Sequence, residues 1–137
     1  MMIRPDDRAT RVLVAEDEMS VALVIEDGLT EGGFRVTCAP DGRAAIEALE
    51  EERFDAVVTD IRMPRMDGVE LVRWIVAARP QLPIVVLSGY MTMEQSGELR
   101  RLGVSEGALL EKPGGFRELL GTLGRLLSVE DSSHSGR

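Results

Sequence analysis

Four short apolar runs in this 137-residue chain each end in a polar or charged residue. They are Val12-Leu13-Val14-Ala15 before Glu16-Asp17, Ala56-Val57-Val58-Thr59 before Asp60, Ile84-Val85-Val86-Leu87 before Ser88, and Ala108-Leu109-Leu110-Glu111 before Lys112. Short apolar runs that alternate with helical patterns mark repeated βα units and a parallel sheet. The loops at the C-terminal strand ends of such a sheet gather around one crevice, which is where open α/β sheets bind ligands. Glu16, Asp17, Asp60, Ser88 and Lys112 are therefore candidates for a single site.

The stretches between the runs support five βα units. Val21, Val24, Ile25 and Leu29 fall on one helical face that stops at Gly32-Gly33, and Phe34 to Cys38 reads as the second strand. Asp41-Gly42 opens a second helix through Ala45, Ile46 and Leu49, and Asp55 to Asp60 forms the third strand. Pro64 and Gly68 bracket a loop, followed by a third helix through Val69, Val72, Ile75 and Val76 that ends at Pro80. Pro83 to Ser88 is strand four, Met91 to Leu102 a weaker amphipathic helix, and Gly107 to Lys112 strand five. Phe116, Leu119, Leu120, Leu123 and Leu127 give the last helix a core-facing stripe. One domain over 11–127 is expected, with polar termini at 1–10 and 128–137, the second Ser-rich and read as mobile.

Three carboxylates beside one ammonium and one hydroxyl restrict the chemistry. Carboxylates held together raise one another's pKa unless a cation joins them, and hard oxygen donors suit Mg²⁺. With its charge so neutralised, one carboxylate can attack phosphorus, while the lysine and hydroxyl hold the phosphoryl oxygens. Lys112 is the only lysine among 16 Lys and Arg residues. A compact ammonium reaches a phosphoryl oxygen where a planar guanidinium does not fit.

Bulk properties narrow the partners. A net charge of −8 argues against a nucleic-acid backbone, whose binding draws on clustered Lys and Arg. No apolar run approaches the roughly 20 residues of a membrane span, and the start lacks a secretory signal, so a cytoplasmic location without membrane contact is expected. The single cysteine, Cys38, reads as a buried structural thiol. Trp74 reads as half-buried beneath arginine stems, with a partner contact as the alternative, and His134 as inert. The sequence shows no repeat and no helix-turn-helix, so any output is expected through the domain's own surface.

Taken in order, Val12-Leu13-Val14-Ala15-Glu16-Asp17-Glu18, the stretch from Thr59-Asp60-Ile61-Arg62-Met63-Pro64 to Arg65-Met66-Asp67-Gly68, Leu87-Ser88-Gly89 and Glu111-Lys112-Pro113 resemble the receiver domain of two-component response regulators. The resemblance covers roughly Arg11 to Leu127. It implies a flavodoxin-like, doubly wound α/β fold: a five-stranded parallel sheet of order 2-1-3-4-5 with five flanking helices. It implies further that Asp60 accepts a phosphoryl group from a histidine kinase or phosphotransfer protein. Asp17 would ligate Mg²⁺ with Asp60, Glu16 would hold a metal-bound water, and the backbone carbonyl of Arg62 would complete the protein ligands. Ser88 and Lys112 would bind phosphoryl oxygens, and Gly89 would leave room beside Ser88. Such a module is not an enzyme with a separate substrate; it catalyses only its own phosphorylation and slow dephosphorylation. Phosphorylation would alter the face of the fourth helix, fifth strand and fifth helix, where a downstream protein target binds.

Several positions depart from the family pattern. Leu109 stands where an aromatic ring usually reports phosphorylation, so weaker coupling there, or coupling through backbone movement, is expected. Gly114-Gly115 replaces an aromatic after Lys112-Pro113, which reads as a looser loop. The segment Val104 to Ala108 is similar to receivers attached to hybrid sensor kinases, which makes a phosphate sink or shuttle of that origin the nearest alternative. Arg62 and Tyr90 are expected to overlook the water's path to the acyl phosphate and slow its hydrolysis. A haloacid-dehalogenase-type phosphohydrolase uses similar groups, but its nucleophile sits in a D-x-D motif on the first strand.

Overall fold

The computed structural model describes residues 10–112 and 114–134. Five strands, β1 (Arg11–Ala15), β2 (Arg35–Ala39), β3 (Ala56–Thr59), β4 (Ile84–Ser88) and β5 (Leu109–Glu111), form one parallel sheet of order β2-β1-β3-β4-β5. The helices are α1 (Met19–Glu31), α2 (Gly42–Glu51), α3 (Gly68–Ala78), α4 (Met93–Arg101) and α5 (Gly115–His134). The expected class, strand order and helix number are all present.

The register brings the strand ends to one side of the sheet, with β4 running two residues past the end of β3. Ala15 lies opposite both Ala39 and Thr59, Thr59 opposite Val86, and Ser88 opposite Glu111. Backbone bonds continue the ladder past the strands, from Asp60 N–H to the Ala15 carbonyl at 3.0 Å and from Lys112 N–H to the Ser88 carbonyl at 2.9 Å. Residues that follow the apolar runs are thereby delivered to one edge.

The runs are apolar throughout because β1, β3 and β4 are covered on both faces; every residue of β3 and β4 is buried. Ile25 and Leu29 of α1, Leu71 and Ile75 of α3, and Leu119 and Leu123 of α5 complete that core. The helix starts follow side-chain chemistry. The Asp41 carboxylate accepts from Ala44 N–H, while Asp67 with Glu70 and Thr92 with Gln95 form reciprocal capping boxes.

Four expectations are corrected. Strand β5 is only three residues long, because Glu106–Ala108 winds into a 3₁₀ turn closed by Ala108 N–H on the Ser105 carbonyl. Cys38 is exposed rather than buried, since β2 is an edge strand covered incompletely. Partial desolvation and the adjacent Glu26 carboxylate push its thiol up to about 11, so it is protonated and a poor nucleophile. Gly115 does not loosen its loop: it is the buried first residue of α5, and a Cβ there would stand 2.7 Å from Leu87 Cδ1 and 2.8 Å from Leu110 Cβ. The backbone is helical through His134, beyond the expected end at Leu127; residues 1–9 and 135–137, in the expected termini, and Pro113 lie outside the described residues. Trp74 is half-buried and packs against the core.

Gly68 is the closest packing constraint. A Cβ on it would fall 2.0 Å from the Asp60 carbonyl oxygen and 2.8 Å from Ile61 Cα, so the first turn of α3 rests directly on the backbone after β3. Gly68→Ala is expected to cost about 3 kcal/mol through overpacking against backbone that cannot rotate away. Gly28→Ala, inside α1 with no atom within 4 Å of the added methyl, is expected to stabilise by about 0.5–1 kcal/mol. Urea midpoints of the two variants check this, and opposite signs are required.

Candidate functional site

Asp60 follows β3 at the middle of that edge and is 7% exposed. Its backbone is held by its own N–H on Ala15 and by the Thr59 hydroxyl, which donates to the Asp60 carbonyl at 2.8 Å. Its Oδ1 accepts from Ile61 N–H at 2.6 Å, and its Oδ2 accepts from Lys112 Nζ at 3.1 Å. The carboxylate is thus oriented from both sides.

Glu16, 4% exposed, lies across from it on the end of β1. Lys112 Nζ donates to Glu16 Oε1 at 2.8 Å, and Glu18 N–H donates to Glu16 Oε2 at 3.1 Å. Burial raises the Glu16 pKa above the ordinary carboxylate value, and the hydrogen bond from Lys112 only partly offsets this. For Lys112, burial works to lower the ammonium pKa, but the hydrogen bonds and charges of Glu16 and Asp60 outweigh it and the net shift is upward. The two carboxylates and the ammonium form one coupled cluster.

Asp17 is exposed, and its carboxylate joins those of Glu16 and Asp60 so that one oxygen from each lies within 4.8 Å of the others. This is a cluster that could hold a metal ion, and three hard oxygen donors suit Mg²⁺. Arg62 and Asp17 line one shallow pocket with Asp67 and Gln95. Ser88 is fully buried, and its hydroxyl donates to the Tyr90 carbonyl at 3.0 Å. A Cβ on Gly89 would meet nothing within 4 Å, so the space beside Ser88 is open. The Tyr90 ring is 64% exposed, and Leu109 is half-buried on β5 beside a groove that Met91 also lines. The structure therefore gathers Glu16, Asp17, Asp60 and Lys112. Ser88 comes with its hydroxyl engaged elsewhere, and Tyr90 turns its ring to solvent.

Two contributors were not singled out from the sequence. Thr59 looks like one more β-branched strand residue, and only its register reveals that its hydroxyl braces Asp60. Gly68 is recognisable as a loop glycine, but its contact with the Asp60 carbonyl is a tertiary fact.

The response regulator receiver domain family model matches residues 12–123. That decides the identity. The chain belongs to the response regulator receiver domain family. It is 38% identical over 119 residues to the response regulator MprA of Mycolicibacterium vanbaalenii, covering 85% of this chain and 50% of that protein. It is 32% identical over 117 residues to the transcriptional regulatory protein ZraR of Escherichia coli, covering 85% of this chain and 26% of that protein. The chain thus spans half or less of the length of these relatives. A CheY-like receiver domain protein from Methanospirillum hungatei superimposes with a TM-score of 0.86 at 25% identity, covering 91% of this chain and 98% of that one. The receiver is a signal-transduction module rather than an enzyme of the usual kind, and among the described residues no helix is long and apolar enough to cross a membrane.

The receiver's ion cluster sets its pH response. A raised Lys112 pKa contributes stability that is fully present below the ordinary lysine value and is lost as pH rises through the folded-state value. A raised Glu16 pKa favours folding below the ordinary carboxylate value, and that contribution is lost as pH rises through the raised one. Lys112→Met leaves Glu16 and Asp60 facing each other without a cation. We expect a loss of roughly 2–3 kcal/mol at neutral pH, less than the 3–5 typical of fully buried pairs, because the lysine side chain is 14% exposed. The deficit should shrink as pH falls and Glu16, whose pKa is raised, loses its charge; a constant deficit in denaturation curves from neutral to acid pH would contradict this account.

Proposed function

We propose that this receiver accepts a phosphoryl group on Asp60 from a histidine kinase or phosphotransfer protein, in the cytoplasm, and changes a protein-binding face in response. The observation that carries the reading is the setting of Asp60: a buried carboxylate held between a backbone N–H and the lone lysine, with two further carboxylates within 4.8 Å.

Asp17 and Asp60 would hold Mg²⁺ directly, Glu16 through a water, with the Arg62 carbonyl completing the protein donors. When bound, the metal supplies positive charge that offsets the repulsion between the cluster and an incoming phosphoryl group. A carboxylate oxygen of Asp60 forms a bond to phosphorus as the bond from phosphorus to the donor's imidazole nitrogen breaks, and the electron pair leaves with that nitrogen. The product is an acyl phosphate. Lys112 already donates to Asp60 Oδ2 and needs only a small displacement to pair with a phosphoryl oxygen. Ile61 N–H orients the carboxylate throughout.

Ser88 is the responsive element in this reading. Its hydroxyl donates to a neutral carbonyl, that of Tyr90, and charged phosphoryl oxygens are roughly twice as good as acceptors. Transfer of that bond frees the Tyr90 carbonyl and the loop from β4 into α4, which carries the change to the α4, β5 and α5 face. A half-buried Leu109 offers no ring hydroxyl to take part, which favours coupling through the backbone of this loop. Arg62, exposed beside Asp17, is placed to stabilise phosphoryl charge and retard hydrolysis.

Intact mass after incubation with Mg²⁺ and acetyl phosphate tests the acceptor: one phosphoryl group is expected on the wild type and none on Asp60→Asn. In the same assay Asp17→Asn should lose most of the uptake. Mg²⁺ at a hundredfold its Kd should stabilise the wild type by about 2.7 kcal/mol and Asp17→Asn by far less. Ser88→Ala should still take up phosphate, whereas the faster amide exchange expected at residues 89–92 of the phosphorylated wild type should disappear. Equal exchange in both proteins would remove Ser88 from the pathway.

A further inference from the structure

The open edge of β5 forms the floor of a groove between α4 and α5. Leu109, Leu110, Glu111 and Lys112 run along it in sequence, Met91 and Arg100 stand on one side, and Glu118 stands on the other. Among the described residues no strand lies beyond β5 in the sheet order. Gly115 brings the backbone of α5 close against Leu110.

The groove's charges are unequal. Arg100 is paired with Glu106 at 3.6 Å, and Lys112 is engaged by Glu16 and Asp60. Glu111 and Glu118 are both exposed, and neither has an ion pair among the described residues. The uncompensated charge along the rim is therefore negative. The apolar part is accessible as well: Leu109 and Met91 are half-buried, and on either side of Met91 the loop into α4 leaves Tyr90 64% and Met93 90% exposed. Methionine side chains reshape readily around an inserted group.

The geometry points to a partner segment that is basic and carries one large apolar side chain, which seats against Leu109 and Met91 while its cations face Glu111 and Glu118. This rests on the reading of Asp60 as phosphoacceptor and of this face as the output surface, and it specifies the chemistry of what binds there. It also supplies a coupling that needs no aromatic ring at position 109. Phosphorylation replaces the single negative charge of the Asp60 carboxylate by an acyl phosphate of about −1.5 to −2 charges, and draws Lys112 toward it. Because Lys112 lines the groove as well as the site, the groove becomes more negative and holds a cationic segment more tightly.

The test uses fluorescence anisotropy with two labelled synthetic peptides, each with a central tryptophan, one flanked by lysines and the other by glutamates. The lysine peptide is expected to bind the full chain at least about tenfold more tightly than the glutamate peptide, and about three- to tenfold more tightly after phosphorylation. In the double variant Glu111→Lys with Glu118→Lys the preference should reverse. Equal binding of the two peptides to the wild type, or an unchanged preference in the double variant, overturns the proposal. Intact mass measured on the same samples separates the two readings: failure to take up phosphate counts against Asp60 as acceptor, while the charge preference of the unphosphorylated protein still decides the groove.

Discussion

One ammonium makes the site possible. Lys112 Nζ bridges Glu16 and Asp60, which lie 96 and 52 residues from it in sequence, and so joins the last strand of the sheet to its two central ones. Two nearly buried carboxylates this close repel each other, and the ammonium between them supplies the opposite charge. The sheet register brings the three side chains together, and the hydrogen bond from the lysine offsets part of the cost of burying Glu16. In the proposed function, stability and reactivity therefore rest on the same contact. The cluster still carries more carboxylates than cations, and that surplus suits it to hold a divalent ion.

The same economy explains why the backbone around Asp60 is so constrained. Its N–H is tied to β1, its carbonyl receives the Thr59 hydroxyl, and the first turn of α3 sits against it at Gly68. Held in place in this way, the carboxylate would need little reorganisation for the attack proposed above. Ser88 is buried but engaged with a backbone carbonyl, a bond between neutral groups that a charged acceptor can displace. In the proposed reading the acceptor is rigid and the responder's bond is replaceable, as a switch requires.

How far these features could be read from the sequence follows from burial. Strands β1, β3 and β4 are covered on both faces and so appear as unbroken apolar runs, which is why their ends, and the residues just past them, were legible. The edge strands were not so plain. In β2 the exposed and covered positions alternate irregularly, and Cys38 turned out exposed. In β5 the 3₁₀ turn at Glu106–Ala108 takes the place of the first two expected strand residues, because Ala108 N–H closes on Ser105 before the ladder begins. Gly115 misled for a related reason: next to Gly114 it looked like a source of freedom, whereas it is a place where α5 touches Leu87 and Leu110. Adjacent carboxylates also differ in a way no residue type discloses, Glu16 buried and Asp17 exposed: Glu16 is still tied to the sheet by its N–H on the Ala39 carbonyl, whereas Asp17 lies in the bend beyond.

Leu109 ties these strands of argument together. A ring at that place would report on the site by moving between inside and outside. A half-buried leucine cannot form a hydrogen bond in either position, so under the proposed function a signal from Asp60 has two physical routes left. One is the backbone of the loop from β4 into α4, released when Ser88 changes acceptor. The other is charge, transmitted by Lys112, whose ammonium touches the acceptor while its stem borders the groove on β5. The first route is short-ranged and depends on a single hydroxyl. The second falls off slowly with distance but is screened by salt, with a Debye length of about 8 Å at physiological ionic strength. A receiver that relies on the second should lose its phosphorylation dependence as ionic strength rises, while one that relies on the first should keep it.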